Sequence, residues 1–263
     1  MDGVSQVTQC AVLPGESFTY RFVADPAGTH FYHAHHGVQR PDGLNGALIV
    51  RPKKPAPVRA AASASGAACA GGEWVLHLAV WQHADSQSLY TQRNGAGWYP
   101  AGPEAAPWKW TRDVSGKLVG EIPMQSGLVN GRGRFEGASS TANLTTFAPL
   151  VGGGPFCFRA LGSQAGKALR LSVAGHSLTV RSTDGAPVES AGGFESVVIF
   201  PGETFDVSVV PLPAVRVAAG ALFWVRASTL EEGYANHTAR AIVRYRDGGA
   251  DQSAAEDAAA DDR

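Results

Sequence analysis

Four of the chain's eight histidines, His30, His33, His35 and His36, fall between Thr29 and Gly37. They lie among β-formers, in Gly28-Thr29-His30-Phe31-Tyr32-His33-Ala34-His35-His36-Gly37, rather than in a polar tract. On an extended strand, side chains two residues apart share one face, so His33 and His35 project the same way. Neutral imidazole is the commonest metal ligand and suits copper, zinc, iron and nickel. A His-x-His on a strand is therefore half of a metal site, and further ligands must come from elsewhere in the fold or from outside the chain. His30 and His36 have the other parity and face away from the pair, as solvated or core-satisfied histidines.

The elements that must position such a pair are strands. Pro14-Gly15 reads as a turn, and Phe18, Tyr20 and Phe22 alternate as on a half-buried strand. A length of 263 residues with 44% hydrophobic content allows one large or two modest domains with a sizeable core. Gly and Pro are abundant, helical periodicity is scarce and short β-rich runs recur, which indicates an all-β sandwich. The formal net charge of -1 makes no electrostatic case for nucleic acid. No apolar run approaches the roughly eighteen residues of a membrane span. The N-terminus lacks a charged stretch followed by an apolar segment, so no secretory signal is expected in it.

Beyond Val50, proline and small residues without periodicity read as an interdomain linker over 54–72. The expected organisation is a first β unit over 1–53 carrying the His-x-His, the linker, a second unit over 73–246 and a disordered acidic tail over 247–263. In the second unit, strands are expected at Trp74 to Trp81, Phe156 to Ala160, Ala168 to Val173, His176 to Arg181, Ser196 to Phe200, Thr204 to Val210, Leu222 to Arg226 and Ala239 to Tyr245. Asn130-Gly131 is a turn signal, because both residues tolerate positive φ. The stretch from Asn94 to Trp110 reads as a loop. Cysteines number three and cannot pair completely within one chain; Cys157 reads as a small buried thiol and Cys69 as exposed. His77, His83 and His176 read as structural. Two sequons begin at Asn143 and Asn236, and their use would require a secretory route.

The string Gly28-Thr29-x-Phe31-Tyr32-His33-x-His35-x-Gly37-x-Gln39-Arg40-x-x-Gly43-Leu44-x-Gly46-x-Leu48-Ile49-Val50 closely resembles the second histidine motif of multicopper oxidases, the family of laccases, ascorbate oxidases and ferroxidases. Asp2-Gly3, Thr8-Gln9-Cys10 and Pro14-Gly15-Glu16 resemble the segment that precedes this motif. Leu128-x-Asn130-Gly131-x-Gly133 and the run from Val197 to Val207 resemble the family's second domain. The resemblance implies cupredoxin-like (plastocyanin-like) Greek-key β-sandwiches, one partial and one complete. It implies that His33 and His35 each ligate one of the paired type 3 coppers of a trinuclear cluster. It also implies that Asp2 matches an acidic residue assisting proton delivery, and that Cys10 sits where plant members bridge to a third domain. Glu121 stands at a spacing from Asn130 that resembles an iron-site carboxylate of fungal ferroxidases, with a solvated glutamate as the simpler reading.

The implied function is copper-dependent oxidation of phenolic, ascorbate-like or metal-ion substrates, with O2 reduced to water, in a secreted protein. The family's first His-x-His-Gly and its His-Cys-His, which supplies a type 1 copper ligand, have no counterpart in these residues. The chain thus reads as truncated and inactive alone, with missing domains or another chain needed to complete the copper sites. The alternative is a non-catalytic copper-binding β-sandwich module.

Overall fold

Recurring β-rich runs fold as strands when alternate side chains on each can be buried against a neighbouring layer. The computed structural model of the protein describes residues 3–52, 69–94, 110–112, 118–120, 124–134, 144–190, 192–213, 215–230 and 238–247. Asp2, Glu121, both sequon asparagines, Lys53 and residues 54–68 of the expected linker, loop residues 95–109 and the tail beyond Asp247 lie outside the described residues.

In chain order the elements are β1 (Gly28–His33), β2 (Asn45–Val50), β3 (Glu73–Trp81), α1 (Ser86–Asn94), β4 (Trp110–Arg112), β5 (Leu118–Gly120), β6 (Ser126–Val129), β7 (Thr146–Phe147), β8 (Phe156–Gly162), β9 (Leu169–Val173), β10 (His176–Thr183), β11 (Ala186–Pro187), β12 (Val197–Ile199), β13 (Thr204–Pro211), β14 (Leu222–Thr229) and β15 (Thr238–Arg244). Two sheets face each other, ordered β11-β10-β13-β8-β3-β6 and β12-β9-β14-β15-β7. Sequential strands are seldom neighbours in them, which is the crossover pattern of a Greek-key sandwich. Leu76, Leu78, Phe156, Phe158, Leu178, Val207 and Val209 from the first sheet meet Leu169, Leu171, Ile199, Val225, Ala241 and Val243 from the second, all fully buried. The strands read from Trp74 onward all form, with small shifts at their ends. At the Asn-Gly turn, Asn130 and Gly131 take φ of 50° and 72°. The Asn130 side chain accepts the His77 N–H at 2.7 Å and donates to the Val75 carbonyl at 3.0 Å, which ties the turn to β3.

Three readings change. Phe18, Tyr20 and Phe22 form no strand, and their rings are 43%, 47% and 61% exposed. Alternation makes a strand only where a neighbour accepts the backbone bonds, and no described strand lies beside this segment. Cys157 is buried as expected, but it is disulfide-bonded to Cys69 rather than a thiol. The Gly71 and Cys157 N–H groups donate to the Pro155 and Gly72 carbonyls at 2.9 and 2.8 Å. Residues 69–72 thereby run beside the start of β8, which brings the two cysteines together. Cys10 is free and exposed. Helix α1, which has weak amphipathic patterning, was not expected.

His176 is buried, donating from Nδ1 to the Ala174 carbonyl and accepting at Nε2 from the Tyr245 hydroxyl, each at 2.8 Å. Burial lowers its pKa and pushes that of Tyr245 up to about 12. His77 is also held below its ordinary value by burial, and its Nε2 has no hydrogen-bond partner among the described residues. A depressed histidine pKa favours the neutral ring in the fold. The unfolded chain therefore takes up more protons as pH falls through about 6.5. Stability is complete above that pH and falls below it until the folded-state pKa values are passed. The thermal midpoint should drop from pH 7.5 to pH 5 as these two rings charge, and an unchanged slope in the His77→Gln, His176→Gln double variant would remove this account.

The disulfide closes a sequence separation of 88 residues. Cys69→Ser should lower the unfolding free energy by about 2–4 kcal/mol in a denaturant titration under oxidising conditions. Parent and variant that coincide there but differ after reduction would contradict the pairing.

Candidate metal site

Strands β1 and β2 pair antiparallel, Gly28 opposite Val50 and His33 opposite Asn45. The extended chain continues one residue past β1, where the Ala34 N–H donates to the Leu44 carbonyl at 2.8 Å. His33 and His35 consequently lie side by side, ring centroids 5.4 Å apart and planes 29° from parallel. Phe31, of the same parity, stacks on His33 at 5.1 Å, and the Arg40 guanidinium carbon lies 5.4 Å from the centre of the Phe31 ring. His33 Nδ1 is 2.9 Å from the Ala34 carbonyl. A carbonyl can only accept, so in the neutral ring Nδ1 carries the proton and leaves the lone pair on Nε2, the tautomer a metal needs. His33 is half-buried and His35 exposed.

Arg40 folds the chain after the pair: its carbonyl accepts the Gly43 N–H at 3.1 Å and the Asn45 amide at 3.0 Å. Burial lowers its pKa from a value far above neutrality, and it stays charged. Its Nε and Nη2 are buried without a hydrogen-bond partner among the described residues.

The sandwich holds this hairpin from both ends. Upstream, Thr29 is 1% exposed and lies on the outer face of the six-stranded sheet. Its hydroxyl donates to Asp206 and accepts from Arg159 Nη1 at 2.9 Å, while its carbonyl accepts from the Thr204 hydroxyl at 2.8 Å. Arg159 also donates to Glu73 at 3.0 Å and to Asp206 at 3.2 Å, and Ser182 donates to Asp206 at 2.8 Å. Burial pulls the Arg159 pKa down, but the two carboxylates outweigh it and the net shift is upward. Beside Thr29, Gly28 and His30 pack on the turn at Gly185, where an added Cβ would stand 2.7 Å from His30 Cε1. Downstream, Asp42 accepts the Ser86 N–H at 3.0 Å, capping α1 from across the interface, while Asp85 caps it from within at Ser88 N–H, 2.7 Å.

His30 does face away from the pair, as its parity requires, but it belongs to this contact, with Nε2 3.0 Å from the Pro26 carbonyl. His36 is exposed. His77, His83 and His176 stay in the sandwich, His83 at 2.8 Å from Ser126 Oγ. None joins the pair, and no cluster of three or more His, Cys, Asp or Glu side chains placed to hold a metal occurs among the described residues. Two neighbouring imidazoles with one tautomer fixed fit half of a copper site and no more. A cavity of about 430 Å³ opens next to the motif, lined by Val38 and Pro41, by Val80 and Leu89, and by Tyr90 and Lys167.

Sequence reasoning missed Thr29, Arg159, Asp206 and Asp42. Arg159 carried a signal, a charge at the outward position of a strand otherwise free of polar residues. Its two carboxylates gave none. Arg159→Leu should leave Asp206 without its cation and Glu73 with only the exposed Arg51 at 3.3 Å, costing about 2–4 kcal/mol after allowance for their partial exposure. Hydrogen exchange should then speed up at the β1 and β2 amides before it does in β9 and β14; uniform acceleration would rule out a local clamp.

Residues 1–55 and 72–248 match two family models, each described as multicopper oxidase. An L-ascorbate oxidase of Brassica rapa subsp. pekinensis is 34% identical over 226 residues, 78% of this chain and 34% of that protein. A Laccase-2 of Fomitopsis schrenkii is 26% identical over 93% of this chain and 39% of its own length. Among solved structures, the laccase of Botrytis aclada superposes with a TM-score of 0.64 at 24% identity, covering 95% of this chain and 40% of that one. Fet3p, described as a multicopper oxidase that functions in iron import, gives 0.64 at 18% identity with the same coverage. These likenesses make the sandwich a cupredoxin fold, and the chain spans between a third and two fifths of each of these four proteins. With models covering the His-x-His hairpin and the whole sandwich that clamps it, the chain belongs to the multicopper oxidase family.

Proposed function

We propose that His33 and His35 are ligands of the type 3 copper pair in a trinuclear site, and that this chain supplies one side of that site. The observation that carries the reading is the co-facial imidazole pair, with His33 oriented by the Ala34 carbonyl, inside a segment matched to the family. Copper, when bound, supplies one-electron chemistry and the reduction of O2. The protein's own part is to present two neutral nitrogens, hold them by Arg159 and Asp42, and stack Phe31 behind them.

In this reading residues 1–53 are the later part of a first cupredoxin domain, 54–72 a linker, 73–246 a complete second domain and 247–263 an acidic tail. The reductant is a phenol, an ascorbate-like molecule or a metal ion, and Asp2 assists proton delivery. Further ligands and the entry point for electrons come from domains or a chain beyond these residues. The donors of Arg40 next to the pair, unpartnered among the described residues, support a site completed from outside them. The Cys69–Cys157 bond supports a secreted protein, since such bonds persist in oxidising compartments.

Titration of the full chain with Cu(II), followed by electron paramagnetic resonance, tests the ligands. One nitrogen-coordinated copper should bind, and His33→Ala should weaken it by about tenfold or more. Equal uptake by parent and variant would remove the metal role from the pair. The copper-loaded chain should oxidise phenols and ascorbate no faster than free copper does; turnover at enzyme rates would mean that the site is complete without further ligands.

A further inference from the structure

The clamp at Thr29 fixes the start of β1, but His33 is the last residue of that strand, in a two-stranded ladder that is marginal in water. A histidine's χ2 has broad wells, so strand geometry alone does not set the plane of the ring. Two contacts do. Nδ1 on the Ala34 carbonyl holds the edge of the His33 ring, and Phe31 holds its face at 5.1 Å, with the planes 27° apart. Phe31 occupies the preceding position on the same side of β1 and is only half-buried. What holds Phe31 therefore bears on His33.

Arg40 holds it from the hairpin loop, its guanidinium carbon 5.4 Å from the ring centre and within reach of cation–π attraction. A guanidinium can stack on a ring while its in-plane N–H groups bond elsewhere, so this contact does not depend on what neutralises the charge. The loop puts Arg40 there by folding back on itself. The Leu44 N–H donates to the Gln39 carbonyl and the Gly43 N–H to the Arg40 carbonyl, each at 3.1 Å, in a turn where Gly43 takes φ of 98°. The Asn45 side chain donates to the same Arg40 carbonyl at 3.0 Å, and Asn45 is the residue opposite His33 in the ladder. The contacts thus close a circuit, from His33 across the ladder to Asn45, along the loop to Arg40, and through Phe31 back to His33. No sandwich residue belongs to it. Resting on the reading of His33 and His35 as copper ligands, we propose that Arg40 and Asn45 are positioning residues for His33. Asn45 fixes the loop, Arg40 holds the Phe31 ring, and Phe31 keeps the imidazole in the plane that presents Nε2 to the metal.

Proton NMR of the metal-free full chain reads this brace without copper. The Phe31 ring current displaces the His33 ring protons, and Arg40→Gln and Asn45→Ala should each return them toward the positions of a free histidine, while the methyl resonances of the sandwich core stay dispersed. Titration of the same proteins with Cu(II), followed by electron paramagnetic resonance, reads the effect on the metal. Arg40→Gln should weaken binding about fivefold and broaden the copper hyperfine lines, because the ring plane becomes variable. Phe31→Leu, which keeps apolar bulk, should do the same, and adding Arg40→Gln to it should change nothing further, since Arg40 acts through that ring. His33→Ala separates the two failures: copper uptake equal to the parent's would remove the ligand reading, whereas the metal-free spectra judge the brace by themselves. The inference is overturned if Arg40→Gln leaves the His33 resonances in place, if it moves them without changing copper binding, or if it weakens binding as much in the Phe31→Leu background as in the parent.

Discussion

The Arg159 guanidinium, held between Glu73 and Asp206 and reaching Thr29, is the contact on which the placement of the histidine pair depends. Strand β8 makes it possible, being covered on both sides. Phe156, Phe158 and Ala160 enter the sandwich core, while Cys157 and Arg159 face the other way, toward the hairpin. A cation in such a place needs its charge returned by neighbours, because desolvation would otherwise outweigh what the contact gains. Two carboxylates return it, one from each strand flanking β8, and the Arg159 pKa rises despite burial. Thr29 then acts as the coupling between sheet and hairpin. Its hydroxyl accepts from Arg159 and donates to Asp206, so both hydrogen-bonding roles of one small side chain are used.

The hairpin needs this support for a reason of scale. A two-stranded ladder in water is marginal on its own, and β2 is half-buried throughout rather than packed into a core. Support at one end would leave the other free to splay. The second attachment, Asp42 on the Ser86 N–H, falls beyond the pair along the chain, so His33 and His35 lie between two fixed points. Gly28 meeting Gly185 lets the backbones approach more closely than any Cβ would permit, since one added at Gly28 would stand 2.6 Å from the Gly185 Cα. The sandwich thus sets the geometry of the histidine pair from two points outside it.

What the sequence revealed follows from what is local. Parity put His33 and His35 on one side, and they are co-facial; alternation located the strands of the sandwich; Asn130-Gly131 announced its turn. What stayed hidden depends on partners distant in the chain. Thr29 meets Asp206 across 177 residues, and nothing near either residue anticipates the other. The Cys69–Cys157 bond was hidden because pairing follows from how residues 69–72 run along β8, which no cysteine spacing encodes. Phe18, Tyr20 and Phe22 erred in the opposite direction. Their local pattern was correct for a strand, but a ladder is a property of two segments, and no second one is present among the described residues. Helix α1 escaped because its stability owes little to an apolar stripe and much to caps, one of them supplied by Asp42 from the hairpin side.

The same geometry explains why two histidines can be well placed and still insufficient. The sandwich holds the hairpin through Thr29, which has the parity of the pair, so the clamp and the imidazoles share one face of the strand and are separated along it, by the four residues from Thr29 to His33. In the proposed reading, a group that completes the coordination approaches at His35, which is exposed. Arg40 lies beside the pair through its contact with Phe31, and its Nε and Nη2 have no acceptor among the described residues. One strand thus separates two tasks along its length: its start is fixed by buried charge through Thr29, and its end presents the imidazole pair.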